Sequence, residues 1–209
     1  MESRPSNHIR IDIMKSYNQL IYEVVPGERP VIMLDLDSVL VDLQAGVSKL
    51  TGGMDMTAWK ARGKAMTNKK GQVPKEVSNN ELHRIVTAEG AKFWADLPWM
   101  KDGKKLWSFV KNYDVHILSA YKHTYNDPKE YSKKGKEIWV AKNLKLPSAK
   151  VHLVFREDKQ KYTKVGGNPT LLIDDYIKNI KEFTAKGGLG IHHKSSGPTI
   201  AKLKKMGFK

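Results

Sequence analysis

The sequence predicts an α/β fold, a Rossmann-like three-layer α/β/α parallel sheet with a small helical cap inserted after the first core strand. Three observations predict it. Short apolar runs alternate with segments of helical periodicity through the second half of the chain. Two apolar runs end in paired acids: Asp35-Leu36-Asp37 closes Val31-Ile32-Met33-Leu34, and Asp174-Asp175 closes Leu171-Leu172-Ile173. The stretch between the first two strands, about residues 43–97, is too long for one crossover.

The elements follow in order. In residues 1–29, His8 to Ile13 alternates like a strand and Met14 to Val24 has helical character, before Pro26-Gly27 and Pro30 break the chain. This segment reads as an N-terminal appendage. Strands are expected at Val31 to Leu36, Val115 to Leu118, Val151 to Phe155, Thr170 to Ile173 and Leu189 to His192. Helices are expected at Gly103 to Asn112, at Lys134 to Leu144 with Ile138, Ala141 and Leu144 at helical spacing, and at Asp175 to Lys186, stopped by Gly187-Gly188. The domains then read as 1–29 appendage, 30–42 with 98–209 core, and 43–97 cap, with Ser78 capping a cap helix that runs to Ala88. Thr199 to Lys209 predicts a short basic amphipathic helix that docks Ile200, Leu203 and Met206 on the domain.

Composition narrows the function classes. The chain has 209 residues, long enough for one core plus a small insertion. It contains no cysteine, which excludes disulfides, thiolate catalysis and zinc–sulfur sites. No apolar run approaches the roughly 20 residues that span a bilayer, and Met1-Glu2-Ser3-Arg4-Pro5 lacks a signal-peptide core. A cytoplasmic protein with no membrane partner is expected. The net charge of +15 favours phosphorylated substrates and leaves nucleic acid open as a partner. No zinc finger, phosphate-binding Gly-rich loop or RNP-like aromatic pattern accompanies that charge.

The acidic strand ends carry the chemistry. Two carboxylates two residues apart on an extended chain project to the same side. At the carboxyl edge of a parallel sheet they can hold a hard cation such as Mg²⁺. They can also supply a nucleophile and an acid/base side by side. A second acidic pair far away in sequence points to one composite metal site.

The order Asp35-Leu36-Asp37-Ser38-Val39-Leu40, Ile117-Leu118-Ser119, a lysine-rich helix start, and Leu172-Ile173-Asp174-Asp175 resembles the haloacid dehalogenase superfamily of phosphohydrolases over about residues 31–193. The resemblance implies that Asp35 is the nucleophile, forming an aspartyl-phosphate, and that Asp37 is the general acid and base. It implies that Ser119, with the Ala120 N–H beside it, binds a phosphate oxygen. The Mg²⁺ ligands would come from Asp35, Asp37, Asp174 and Asp175, with Asp174 coordinating directly. The motif lysine would be Lys159 or Lys161, with Lys164 a third candidate.

Within that superfamily, Phe93-Trp94-Ala95-Asp96-Leu97-Pro98-Trp99-Met100-Lys101-Asp102-Gly103 is similar to the stretch that leads from cap to core in 5′(3′)-deoxyribonucleotidases. That likeness implies a nucleoside monophosphate substrate, with Phe93 and Trp94 as base-stacking candidates, whereas Trp99 and Trp107 read as core. The cap from Gly52 to Asn80, with Lys60, Arg62, Lys64, Lys69 and Lys70, departs from those enzymes. It keeps two alternatives in view: a phosphatase acting on nucleic-acid ends, and a non-catalytic polyanion-binding protein on the same fold. A homodimer is a further expectation from the resemblance. His192-His193 reads as a surface pair at a strand end rather than a metal site.

Overall fold

The computed structural model describes residues 29–122, 127 and 129–209. The appendage expected over 1–29 therefore lies outside the described residues, apart from Arg29. That residue donates from Nε to the Gly207 carbonyl, 3.1 Å away.

The chain enters the sheet through β1 (Ile32–Leu34), all three residues fully buried. A central parallel strand is covered on both faces, so its sequence is continuously apolar rather than alternating. Past Leu34 the Asp35 N–H still donates to the Ile173 carbonyl (3.0 Å), and the chain then folds into a tight turn. Ser38 occupies the left-handed region there with φ of 61°, so the ladder is shorter than the expected run to Leu36.

A helical region follows: α1 (Leu43–Leu50), α2 (Met56–Ala65), a single 3₁₀ turn (Lys75–Val77), α3 (Asn79–Ala88) and α4 (Gly90–Ala95). Three of its helices start on side chains that satisfy the first free N–H groups. Asp42 accepts from the Ala45 N–H, Asp55 from Ala58, and Ser78 from Glu81.

The chain then runs through α5 (Gly103–Val110), β2 (Val115–Ala120), α6 (Tyr131–Asn143), β3 (Val151–Val154) and a 3₁₀ segment (Arg156–Tyr162). A small hairpin, β4 (Lys164–Val165) with β5 (Asn168–Pro169), leads into β6 (Leu171–Asp174). The last elements are α7 (Ile177–Ala185), β7 (Leu189–His192) and α8 (Ser196–Lys205).

Five strands pair in parallel in the order β3-β2-β1-β6-β7. Leu34 stands beside Ile117 on one side and Ile173 on the other. Ile32 and Leu34 face a cluster that includes Leu106 and Val110 of α5, Trp139 and Val140 of α6 and Leu203 of α8. Met33, Leu118 and Leu172 face Ile180 and Phe183 of α7. The sheet thus lies between two helical layers, the α/β/α class that the sequence predicts.

Two expectations change. The buried face of α6 is Ser132, Gly135, Lys136, Trp139 and Val140, not the face of Ile138, which is 51% exposed. Gly135 decides this: a Cβ there would lie 2.3 Å from the Ala91 carbonyl oxygen and 2.4 Å from the Trp94 Cβ, so α6 approaches α4 this closely only because that position is a glycine. The last helix also starts earlier, at Ser196, because Asp102 accepts from its N–H (2.6 Å) and its hydroxyl donates to the Asp102 carbonyl (2.7 Å). Leu203 of that helix is fully buried, as the docking face requires.

Candidate active site

The parallel register sets the site. Asp35 follows β1, Ser119 lies near the end of β2 and Asp174 ends β6. Because β2 and β6 flank β1 on opposite sides, the chain leaves the central strand where the strand order reverses. The carboxyl edge opens there into the crevice in which α/β sheets place ligands.

Asp35, Asp174 and Asp175 each offer an oxygen to one group whose members lie within 4.8 Å of one another. Asp174 is fully buried and Asp35 is 6% exposed. Lys159, on the 3₁₀ segment after β3, donates to Asp174 Oδ2 at 2.7 Å and stands 3.1 Å from Asp35 Oδ1. The second contact brings opposite charges together without hydrogen-bond alignment, so buried Asp35 Oδ1 accepts no hydrogen bond. Asn179 of α7 donates to both Asp174 oxygens (3.1 and 2.9 Å), and the Tyr176 N–H donates to Oδ1 (2.8 Å). Arg156 in turn donates to Asn179 Oδ1 at 3.2 Å, which fixes the amide's orientation.

The electrostatics follow from three carboxylates facing one ammonium. Burial pushes the Asp174 carboxyl up, and the Asp35 charge pushes it further. Burial, then the Asp35 and Asp174 charges, push Asp175 up to about 6. Burial alone would lower the Lys159 amine, but the charges of Asp35 and Asp174 outweigh it and hold its pKa above the ordinary value. Asp174 and Asp175, whose carboxyls resist ionisation, beside an Asp35 oxygen that accepts no hydrogen bond, fit a hard oxygen-seeking divalent cation.

The other half of the site centres on Lys136, which no motif in the sequence had marked. It projects from the buried face of α6, is 3% exposed, and donates to Asp37 Oδ2 (2.7 Å), to Ser119 Oγ (3.1 Å) and to the Ala120 carbonyl. Its ammonium lies 5.6 Å from the Trp94 ring centroid. A signal was present in the sequence: a lysine in register with Ser132, Gly135, Trp139 and Val140 sits on the stripe that faces the sheet. α6 is anchored at its start by buried Asp127, which accepts from the Tyr131 and Ser132 N–H groups (2.7 and 2.6 Å).

Of the expected residues, the structure gathers Asp35, Asp37, Ser119, Lys159, Asp174 and Asp175, and it places Ala120 beside them through its carbonyl. Asp37 is not among the three metal-capable carboxylates; its carboxylate is held by Lys136 instead. Lys161 points away, 72% exposed and paired with Asp158, because successive positions of the 3₁₀ segment face different sides. Lys164 is exposed on β4. Phe93 and Trp94 are at most 8% exposed and meet edge to face at 5.1 Å, so they pack the core rather than present a stacking surface. Trp99 packs against Trp139 and donates to Asn143 Oδ1 at 3.1 Å. His192 contacts the Asp175 carbonyl through Nε2 at 2.8 Å. His193 is buried, with Nδ1 2.9 Å from Thr199 Oγ1, and is not a surface residue.

No family model matches the sequence, and no curated relative does. Among solved structures, the chain is similar to the HAD-hydrolase YfnB from Bacillus subtilis bound to magnesium, at 14% identity over 78% of this chain and 86% of that one, with a TM-score of 0.43. It is similar to a phosphonoacetaldehyde hydrolase-like protein from Oleispira antarctica, at 14% identity over 80% and 73%, with a TM-score of 0.46. It is also similar to L-2-haloacid dehalogenase from Xanthobacter autotrophicus, at 10% identity over 84% and 82%, with a TM-score of 0.48. Likenesses of this extent assign neither reaction nor substrate to this chain. No helix among the described residues is long and apolar enough to cross a membrane.

Proposed function

We propose that the chain is a Mg²⁺-dependent phosphomonoesterase of the haloacid dehalogenase type, with nucleoside monophosphates, deoxynucleotides foremost, as its substrate class. One observation carries the reading. Asp35 stands at the carboxyl edge of the central strand with an unsatisfied buried oxygen, flanked by Lys159 and the Asp174–Asp175 pair on one side and by the Asp37–Lys136–Ser119 group on the other. Binding a polyanion needs neither an aligned carboxylate nor a second one two residues on.

Asp35, Asp174 and Asp175 would hold the cation, which supplies charge neutralisation for an incoming phosphate. An Asp35 oxygen attacks phosphorus; the bond to the leaving oxygen breaks, and that oxygen takes a proton from Asp37. Water then attacks the aspartyl-phosphate, giving its proton to Asp37, and inorganic phosphate leaves with Asp35 restored. Lys136 holds Asp37 by Oδ2, which leaves Asp37 Oδ1, buried and without a hydrogen-bond partner, as the atom that exchanges the proton. Lys136 and Ser119 face the transferred phosphoryl oxygens, and Lys159 balances charge on Asp35.

The test is inorganic phosphate release from ribo- and deoxyribonucleoside 5′- and 3′-monophosphates, with Mg²⁺ and with EDTA. Turnover that needs the cation and Asp35 is expected; a panel with no turnover overturns the mononucleotide reading. The charge of +15 favours a second reading, a phosphatase that acts on nucleic-acid ends. Preference for 5′-phosphorylated oligonucleotides with steep salt dependence would select it.

A further inference from the structure

Lys122 stands two residues beyond β2, where the chain leaves the sheet beside the Asp37–Lys136 pair. Its backbone N–H donates to Ser132 Oγ (3.0 Å), which fixes the residue against the first turn of α6. Its ammonium reaches across to α3 and meets the ring Nδ1 of His83. Both side chains belong to half-buried residues.

Charges of both signs surround this contact, Asp37 and Asp127 against Lys60 and Lys136. Burial, ahead of every charge, pulls the Lys122 amine down to about 8, and Lys136 lowers it while Asp127 and Asp37 raise it. His83 is lowered by burial, then by Lys122 and Lys60. The nearby carboxylates hydrogen-bond other groups: Asp127 caps α6 and Asp37 Oδ2 accepts from Lys136. Lys136 and Lys159 each bond an aspartate. Lys122, among the described residues, has an imidazole as its side-chain partner in place of a carboxylate. A desolvated ammonium and an imidazole that bond each other rather than a carboxylate form a receptor for an anion.

We propose that Lys122 and His83 form a second anion subsite, so that the favoured substrate is a phosphomonoester carrying a second phosphoryl group. This rests on the phosphatase reading of the Asp35 centre. The scissile phosphate lies between Asp35 and Lys136, and the second phosphoryl group meets Lys122 and His83. The same chemistry arises in a nucleoside bisphosphate and in a sugar bisphosphate.

The experiment compares kcat/KM for phosphate release within two pairs: deoxyadenosine 5′-monophosphate against its 3′,5′-bisphosphate, and fructose 6-phosphate against fructose 1,6-bisphosphate. Within at least one pair the bisphosphate is expected to lead by about tenfold, the scale of one charge-assisted hydrogen bond. The pair that shows the lead names the carrier. Lys122→Met and His83→Leu, each checked for folding by circular dichroism, bring the ratio to about one, and Lys161→Met leaves it unchanged. A ratio near one in the native chain, or one that both Lys122→Met and His83→Leu leave intact, overturns the subsite.

If no substrate turns over, the phosphatase reading fails separately. Calorimetric titration of the Mg²⁺-loaded chain with the two bisphosphates then decides the subsite alone. Binding weakened about tenfold by Lys122→Met supports it, and binding that is absent or unaffected overturns it.

Discussion

Lys136 Nζ stands 2.7 Å from Asp37 Oδ2, joining a helix in the second half of the chain to the turn after the first strand, 99 residues earlier. The same ammonium reaches Ser119. Asp37 and Ser119, the proposed proton-transfer group and phosphate-binding hydroxyl, are therefore held by one buried cation.

Lys136→Met is expected to lower kcat by about a hundredfold or more, the scale of losing one preorganised donor. The loss should fall on kcat more than on KM, since Lys136 also orients Asp37. Steady-state kinetics on the best monophosphate checks it; a variant with native kcat removes Lys136 from the mechanism.

Asp35→Asn keeps the shape of the side chain and removes the proposed nucleophile. Turnover is expected to vanish while the circular dichroism spectrum stays native. Retained phosphate release would show that attack on phosphorus comes from another group.

The acidic cluster predicts a pH-dependent stability. Asp175 is held up to about 6 against an ordinary value of 3.8. Between those values the folded chain keeps a proton that the unfolded chain has released. The contribution of Asp175 to stability therefore falls as pH rises from about 4 to about 6, and it stays unfavourable above. In metal-free protein, Asp175→Asn should raise Tm at pH 7 and leave it nearly unchanged at pH 4. Added Mg²⁺ at pH 7 should raise the native Tm more than that of the variant. Equal shifts at both pH values would separate Asp175 from the cluster.

Gly135→Ala tests the helix contact that delivers Lys136. The added methyl would lie 2.3 Å from the Ala91 carbonyl oxygen, so α4 and α6 must separate. A destabilisation of about 1–3 kcal/mol is expected in urea unfolding, with reduced activity because Lys136 follows Gly135 on the same face. Native stability would show that α6 can shift without cost.

Local sequence determined much of this protein. Continuous burial made the central strands legible as apolar runs, and Asp35, Asp37, Asp174 and Asp175 were visible because a parallel sheet sends strand ends to one edge. Lys159 was among the candidates for the same reason, following β3 by a few residues. The helix starts at Asp42, Asp55 and Ser78 rest on bonds to the third residue onward, an interaction that neighbours in sequence fix by themselves.

Tertiary structure decided the rest. Which face of α6 turns inward depended on a glycine meeting a carbonyl of α4, and that contact carried Lys136 rather than Ile138 to the core. It separated Lys159 from Lys161, because only Lys159 could reach two buried carboxylates. It buried Phe93 and Trp94 in the core and brought His83 to Lys122. A lysine on a surface and one in a site are the same residue in sequence; the difference is the negative charge and lost water that distant segments bring to it.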